Sequence, residues 1–314
     1  MKNVLKPAGT PRKDLFLLAL LLLSTVLLFT SCGSDGPEEG SKGLLYQVEG
    51  GENQVYLFGT VHVGEEDLYP LHDNVQDAFQ ESTLLGLEID MSEMSEMEIG
   101  ETMVEYGMYQ DGSRMTDIIP EETFDRVVEE TAAVGVEGEI LDQFNPWYAT
   151  LILSEIGIEQ SSLSPEYGVE AHLIEEADPD MEIFSLETVS NQMEPYLELS
   201  DESQKIYLEQ TLEELEHMEE DLNELIDHWK QGDKEGFGQL RDEQLENAET
   251  DSLKDFQLAM LDERDIAMTE KIDDILQSDS GDTYFIAVGS LHLAGENSIV
   301  DQLTELGYDV EFLY

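Results

Sequence analysis

Two short apolar runs stand out in the hydrophobic pattern of this chain, and they read alike. Val55-Tyr56-Leu57-Phe58 leads into Gly59-Thr60-Val61-His62, and Tyr284-Phe285-Ile286-Ala287-Val288 leads into Gly289-Ser290-Leu291-His292. Runs this short, rich in β-branched and aromatic residues and closed by glycine, predict buried strands. After His62, apolar positions Leu71, Val75, Ala78 and Phe79 fall at helical spacing, and Leu84-Leu85-Gly86-Leu87-Glu88-Ile89-Asp90 predicts another buried strand. After His292, Ser298 to Leu306 predicts a helix closed by Gly307, and Tyr308 to Tyr314 a last strand. Leu44 to Glu49 predicts a first strand, joined to the next through the turn-forming Gly50-Gly51-Glu52-Asn53, and Met181 to Glu187 a further inner strand.

The intervening segments carry a different period. From Ser92 to about Gln160 the spacing is helical, with starts at Pro120 and at Asn145-Pro146, and Ser164 to Glu170 interrupts it. From Pro195 to Gln277 the pattern is that of long amphipathic helices, with Leu212, Leu215, Met218, Leu222, Leu225 and Trp229 forming one apolar stripe. The fold class is therefore α/β. A central mixed sheet is flanked by helices, and two related halves each carry a strand-Gly-x-x-His-helix-strand unit, with a helical insertion between them.

Charge changes the picture of the surroundings. Against 73 Asp and Glu there are 14 Lys and Arg, a formal charge of −59. Nucleic acid and anionic lipid headgroups are excluded as partners by such a field. The acids are spread along the chain, which argues for a carboxylate surface suited to molar salt, where the Debye length is about 3 Å. The expected source is a halophile. At the N-terminus, Lys2, Lys6, Arg12 and Lys13 precede an apolar run from Leu15 to Thr30 that is shorter than the roughly 20 residues needed to span a bilayer. Phe29-Thr30-Ser31-Cys32 follows, and Cys32 is the single cysteine. This arrangement predicts a lipoprotein signal peptide over residues 1–31, an acylated Cys32 with a flexible tether over 32–43, and a folded domain over 44–314, exported and held on the outer face of a membrane.

Candidate chemistry gathers at the strand ends. A histidine at the exit of a buried strand stands where open α/β sheets place their ligands, and Gly59 and Gly289 let the backbone turn or approach closely there. Glu88 ends a buried strand, where a carboxylate is costly unless paired or metal-bound, or else faces outward. Glu170 and Glu187 are further candidates, against the plain reading of surface acids. Arg264 has apolar neighbours and stands to reach a buried carboxylate or an oxyanion, or a helix-surface acid. His72, His172, His217 and His228 read as ordinary structural residues.

Taken together, Tyr56-Leu57-Phe58-Gly59-Thr60-Val61-His62, Tyr69-Pro70-Leu71, Gly86-Leu87-Glu88-Ile89-Asp90, Asn145-Pro146-Trp147, Tyr167-Gly168-Val169-Glu170, Leu186-Glu187-Thr188 with Gln192, Trp229-Lys230-Gln231-Gly232-Asp233, Glu263-Arg264-Asp265 and Ala287 to Gly295 resemble the TraB/PrgY/GumN family, which includes the TIKI proteases. The resemblance spans residues 44 to 314. It implies an α/β fold with two Gly-x-x-His motifs at one site and, from the TIKI members, divalent-metal-dependent peptide cleavage. On that basis His62 and His292 are metal ligands completed by Glu88, Glu170 or Glu187 is a general base, and Arg264 stabilises an oxyanion. Histidine with carboxylate suits zinc, manganese, iron or cobalt, and the resemblance favours manganese or cobalt. The substrate is then a peptide or protein. The alternative is a surface lipoprotein that binds a peptide, haem or metal without catalysis. Asp265 stands where the family usually has Asn, which is expected to affect how Arg264 is oriented, and Glu170 where many members have Asp.

Two outcomes follow from the charge and the N-terminus. The thermal midpoint of unfolding is expected to rise as KCl is raised from dilute buffer to molar levels. A steady fall would refute a salt-adapted surface. Cys32→Ser is expected to abolish acyl labelling of the protein in cells, and labelling that persists would show that Cys32 is not the lipidated residue.

Overall fold

The computed structural model describes residues 40–90 and 96–314, apart from the side chains of residues 96–99, 101, 103 and 133. The expected signal peptide and Cys32 lie outside the described residues. Among the described residues, no helix is long and apolar enough to cross a membrane.

The strands β1 (Leu44–Glu49), β2 (Gln54–Thr60), β3 (Leu84–Leu87), β4 (Glu182–Ser185), β5 (Thr283–Gly289) and β6 (Asp309–Phe312) form one sheet in the order β4-β3-β5-β2-β1-β6. β2, β5, β3 and β4 run parallel to one another, whereas β1 is antiparallel to both β2 and β6. The sheet is thus mixed, as the sequence predicts, and every strand but β1 sends its C-terminal end to the same edge. β2 and β5 are buried along almost their whole length, the continuous apolar pattern of strands covered on both faces.

The connections place a crevice at that edge. β2 leads through helix Asp73–Glu81 to β3, which lies beyond β5; β5 leads through helix Ile299–Leu306 to β6, which lies beyond β2 and β1. Parallel crossovers are right-handed, so two that leave neighbouring strands in opposite directions put their helices on opposite faces. The loops after β2 and β5 therefore part, which is the topological condition for a ligand site.

Apolar packing fixes the sheet. Phe79 of helix Asp73–Glu81 meets Phe285, and Trp229 of helix Met218–Gln231 meets Phe58, with ring centroids 5.2 and 6.0 Å apart. Met268, Ile272 and Leu276 of helix Arg264–Gln277 belong to the same core. A second core is made wholly of helices. It joins Trp147, Ile152 and Leu153 of helix Pro146–Gln160 to Tyr196, Leu208, Leu212 and Phe256. The helical part is thus built from segments on both sides of β4.

Two boundaries differ from expectation. Residues 40–43 do not belong to a loose tether: Ser41 is wholly buried, its N–H donates to Pro70 O at 3.0 Å, and Gly43 N–H donates to Trp229 O at 3.1 Å. Pro195 lies inside helix Val189–Leu197 and does not open a new one, because Thr188 and Asn191 form a capping box that starts this helix earlier.

Trp229 ties these parts together. Fully buried, it donates from Nε1 to Gly59 O at 2.7 Å, directly before the first histidine loop. Trp229→Phe keeps most of the apolar contact and removes that bond. It is expected to destabilise the fold by about 1–3 kcal/mol, read from denaturant unfolding in molar salt.

Candidate functional site

Four neighbouring strand ends deliver the site. β2 and β5 pair in register, with Thr60 opposite Gly289, so His62 and His292 emerge side by side from adjacent parallel strands. Glu88 directly follows β3, on the other side of β5. Glu187 follows β4, and the ladder continues past the strands: Leu186 N–H donates to Leu87 O at 2.8 Å and Glu187 N–H to Glu88 O at 2.9 Å, which sets the two glutamates next to each other. Arg264 and Asp265 begin helix Arg264–Gln277 after a wide π-type turn over Ala259–Glu263, an irregularity frequent at functional sites.

Glu88 is the centre of the hydrogen-bond network. Its Oε1 accepts from Gly289 N–H at 2.7 Å and lies 3.6 Å from His292 Nε2, while Oε2 accepts from Arg264 Nη2 at 2.6 Å and Gln192 Nε2 at 3.2 Å. A Cβ on residue 289 would stand 3.3 Å from Glu88 Oε1, so glycine there admits the carboxylate. Burial alone would push this carboxyl up, but His292, Arg264, His62 and the Gly289 amide outweigh it and hold it down at about 2. Arg264 donates from Nε to Glu187 Oε2 at 3.1 Å, from Nη2 to Glu187 Oε1, and from Nη1 to Met260 O at 3.1 Å. Burial works against its charge, yet Glu187 and Glu88 more than compensate and raise its proton affinity.

Both histidines have Nδ1 against a carboxylate. His62 Nδ1 lies 3.0 Å from Glu170 Oε1, and Thr60 Oγ1 donates to the same oxygen. The segment bearing Glu170 is sewn to the His62 loop through mutual Gly64 and Ser164 backbone bonds and by Val169 N–H donating to Val61 O at 3.0 Å. Gly168 permits this approach, since a Cβ there would lie 2.4 Å from His62 O. Glu170 pushes the His62 imidazole up to about 9, although with 72% of the side chain exposed that field is screened by solvent. Burial raises the Glu170 carboxyl, but His62 and Thr60 hold it below its usual range. His292 Nδ1 lies 2.6 Å from Asp265 Oδ1. A carboxylate on Nδ1 with Nε2 left over is the arrangement of metal-ligating histidines. The donor chemistry therefore suits a divalent ion held by His62, His292 and Glu88. Among the described residues, however, no three such side chains are gathered closely enough to form a metal-holding group.

The structure brings His62, His292, Glu88, Glu170, Glu187 and Arg264 to one place, and it revises the expected roles of two of them. Both oxygens of Glu187 are engaged by Arg264, and Gln192 Nε2 donates to Oε1 at 2.8 Å, so this carboxylate holds the arginine and is not a free proton acceptor. Arg264 uses four N–H contacts within the protein, and its task is to hold Glu88 and Glu187 before it meets any oxyanion. Asp265 does not orient Arg264. It reaches His292 on one side and Arg241 Nη1, at 2.7 Å, on the other. Arg241 was not among the sequence candidates, though Phe237, four residues before it and buried on the same helix face, carried the signal. Three of the remaining histidines are structural: His72 Nδ1 caps helix Asp73–Glu81, His172 packs on Tyr69 with centroids 4.0 Å apart, and His228 Nδ1 pairs with Asp233 at 2.7 Å, while His217 is exposed at the start of helix Met218–Gln231.

Known proteins resemble this chain along most of its length. The chain is 22% identical to the uncharacterized protein YbaP of Escherichia coli over 254 residues, covering 81% of this chain and 89% of that protein. It is 22% identical to the metalloprotease TIKI1 of Danio rerio, covering 90% of this chain and 65% of that protein. No solved structure matches. The TraB/PrgY/gumN family profile matches residues 44–312, nearly all of the folded part, and the chain belongs to that family.

Proposed function

We propose that this protein is a metal-dependent hydrolase that cleaves peptide bonds, tethered through lipid on Cys32 to the outer face of the membrane of a salt-adapted organism. The observation that carries the reading is the pair of histidines on adjacent parallel strand ends, each with Nδ1 against a carboxylate and Nε2 left to act. Family membership and the likeness to a metalloprotease support hydrolysis.

His62, His292 and Glu88 would hold the ion, with manganese or cobalt favoured by the family resemblance and zinc or iron suited to the same donors. When bound, a divalent cation supplies Lewis acidity to a carbonyl oxygen. The protein's side chains supply the rest. Arg264, Gln192 and the Gly289 amide keep Glu88 ionised and fixed in direction. Glu170 and Asp265 set the two imidazoles. His62, the most open of the set, is the group a substrate meets first. With Glu187 committed to Arg264, proton transfer falls to Glu170.

Metal analysis of the purified protein, followed by cleavage of a peptide library in molar salt with and without chelator, tests this. His62→Ala and His292→Ala are each expected to lose both bound metal and cleavage. Arg264→Lys keeps the charge but loses the planar fork, so metal is retained while cleavage falls on the order of 10²-fold through misplacement of Glu88. Metal-loaded wild-type protein that cleaves nothing, yet binds a peptide or haem tightly, would replace the hydrolase with a non-catalytic binding lipoprotein.

A further inference from the structure

Behind His292 runs a buried chain of charge. Arg241, on helix Lys234–Glu246, has a side chain only 1% exposed, and its guanidinium donates to Asp265 Oδ2 at 2.7 Å, Asp262 Oδ1 at 2.6 Å, Leu291 O at 2.8 Å and Ala294 O at 3.5 Å. Asp265, at 0% exposure, turns its other oxygen to His292 Nδ1 at 2.6 Å. Gly295 closes the loop in a left-handed conformation, where a Cβ would lie 3.1 Å from Arg241 Cδ, and Asn297 Nδ2 donates to Asp262 Oδ2 at 3.0 Å. One arginine thus grips the backbone on both sides of His292 and reaches the ring through Asp265.

A buried ion pair of this kind contributes little net stability once desolvation is counted, which leaves orientation as its main effect. Arginine can only donate. The Asp265 carboxylate accepts from Arg241 Nη1 through Oδ2, which leaves Oδ1 to accept from His292 Nδ1. When the ring carries one proton, the 2.6 Å contact of Nδ1 with Asp265 outcompetes Glu88 Oε1, which lies 3.6 Å from Nε2, and that proton sits on Nδ1. We propose that Arg241 is a positioning residue of the site. By keeping Asp265 an acceptor and holding the Leu291 carbonyl, it fixes the tautomer and direction of His292. This rests on the reading that His292 Nε2 is the working nitrogen, but the tautomer itself depends on neither a reaction nor a bound ion.

An amide in place of the carboxylate separates this from a merely structural pair. In Asp265→Asn, Arg241 claims the amide oxygen and leaves the amide nitrogen facing the ring. That nitrogen donates to Nδ1 and drives the proton to Nε2, the wrong-tautomer effect of an Asp-to-Asn change behind a histidine. With Arg241→Met added, the amide is free to turn its oxygen back towards Nδ1–H.

Long-range ¹⁵N–¹H correlation of the histidine rings tests this on the full-length, metal-free protein in molar salt, at a pH where the ¹⁵N shifts show one proton on the His292 ring. The His292 signals are assigned by their loss in His292→Gln. In the wild type, Nδ1–H is expected to exceed Nε2–H by about tenfold or more, the weight of a hydrogen bond to a charged group. Asp265→Asn should reverse the preference and the double variant should bring Nδ1–H back, with the other histidines unchanged. A wild-type ring with Nε2–H or an even mixture overturns the proposal, as does Asp265→Asn that keeps Nδ1–H with Arg241 present. Those two measurements decide the matter even if the double variant fails to fold. The expected tautomer series in a protein that cleaves no peptide upholds the role of Arg241 and counts only against the hydrolase.

Discussion

The in-register parallel pairing of β2 with β5 is the constraint on which the site depends. These strands are separated by over two hundred residues of chain, yet their pairing puts Thr60 beside Gly289 and so sets the spacing of the two histidines that follow. Because both strands are covered on both faces, a slip of one residue would exchange the side chains that each helical layer receives, setting Leu57 and Ile286 where Phe58 and Phe285 pack. The apolar runs that look like ordinary core are therefore also what fixes the site. Because β3 and β4 run parallel on the far side of β5, the same edge receives two acids as well.

Bringing two carboxylates side by side at the end of a sheet is unfavourable by itself, since each is desolvated and each repels the other. Arg264 resolves this by bridging Glu88 and Glu187, and Gln192 bridges them a second time. The bridge is unequal. Glu187 gives both oxygens to Arg264, while Glu88 keeps Oε1 turned to the Gly289 amide and His292. The difference in partners makes one acid a support and leaves the other directed into the site.

Much of the arrangement was legible in the sequence because it follows local rules. The strand runs, the helix started at Asn145-Pro146, and Gly307 in the left-handed conformation after helix Ile299–Leu306 all express short-range chemistry. Glycine before each histidine marked the loops, and the run ending at Glu88 marked a buried acid. What stayed hidden depends on long-range pairing. No local pattern says that Asp265 turns away from Arg264 to His292, because neighbours on a helix point about 100° apart and only the tertiary fold says what lies in each direction. Arg241 was hidden in the same way, its acceptors lying on helix and loop segments remote in sequence. Glu187 carried the right position and the wrong task, since the sequence gives its place after β4 but not the arginine that occupies it.

The placement of the few cations gives the acidic composition a structural meaning. In molar salt, exposed ion pairs are screened within a few ångströms, so a surface gains little from alternating its charges and can be left to hydrated carboxylates. Inside the protein there is no such screening. Arg241 and Arg264 stand on acids behind and beside the site, and Lys271 Nζ donates to Leu186 O at the exit of β4. With 14 Lys and Arg to set against 73 acids, those at the strand ends sit where a cation has the greatest effect on geometry. Their effect should therefore survive the ionic strength that would erase an equivalent pair at the surface, and the site can remain ordered in a chain whose formal charge is −59.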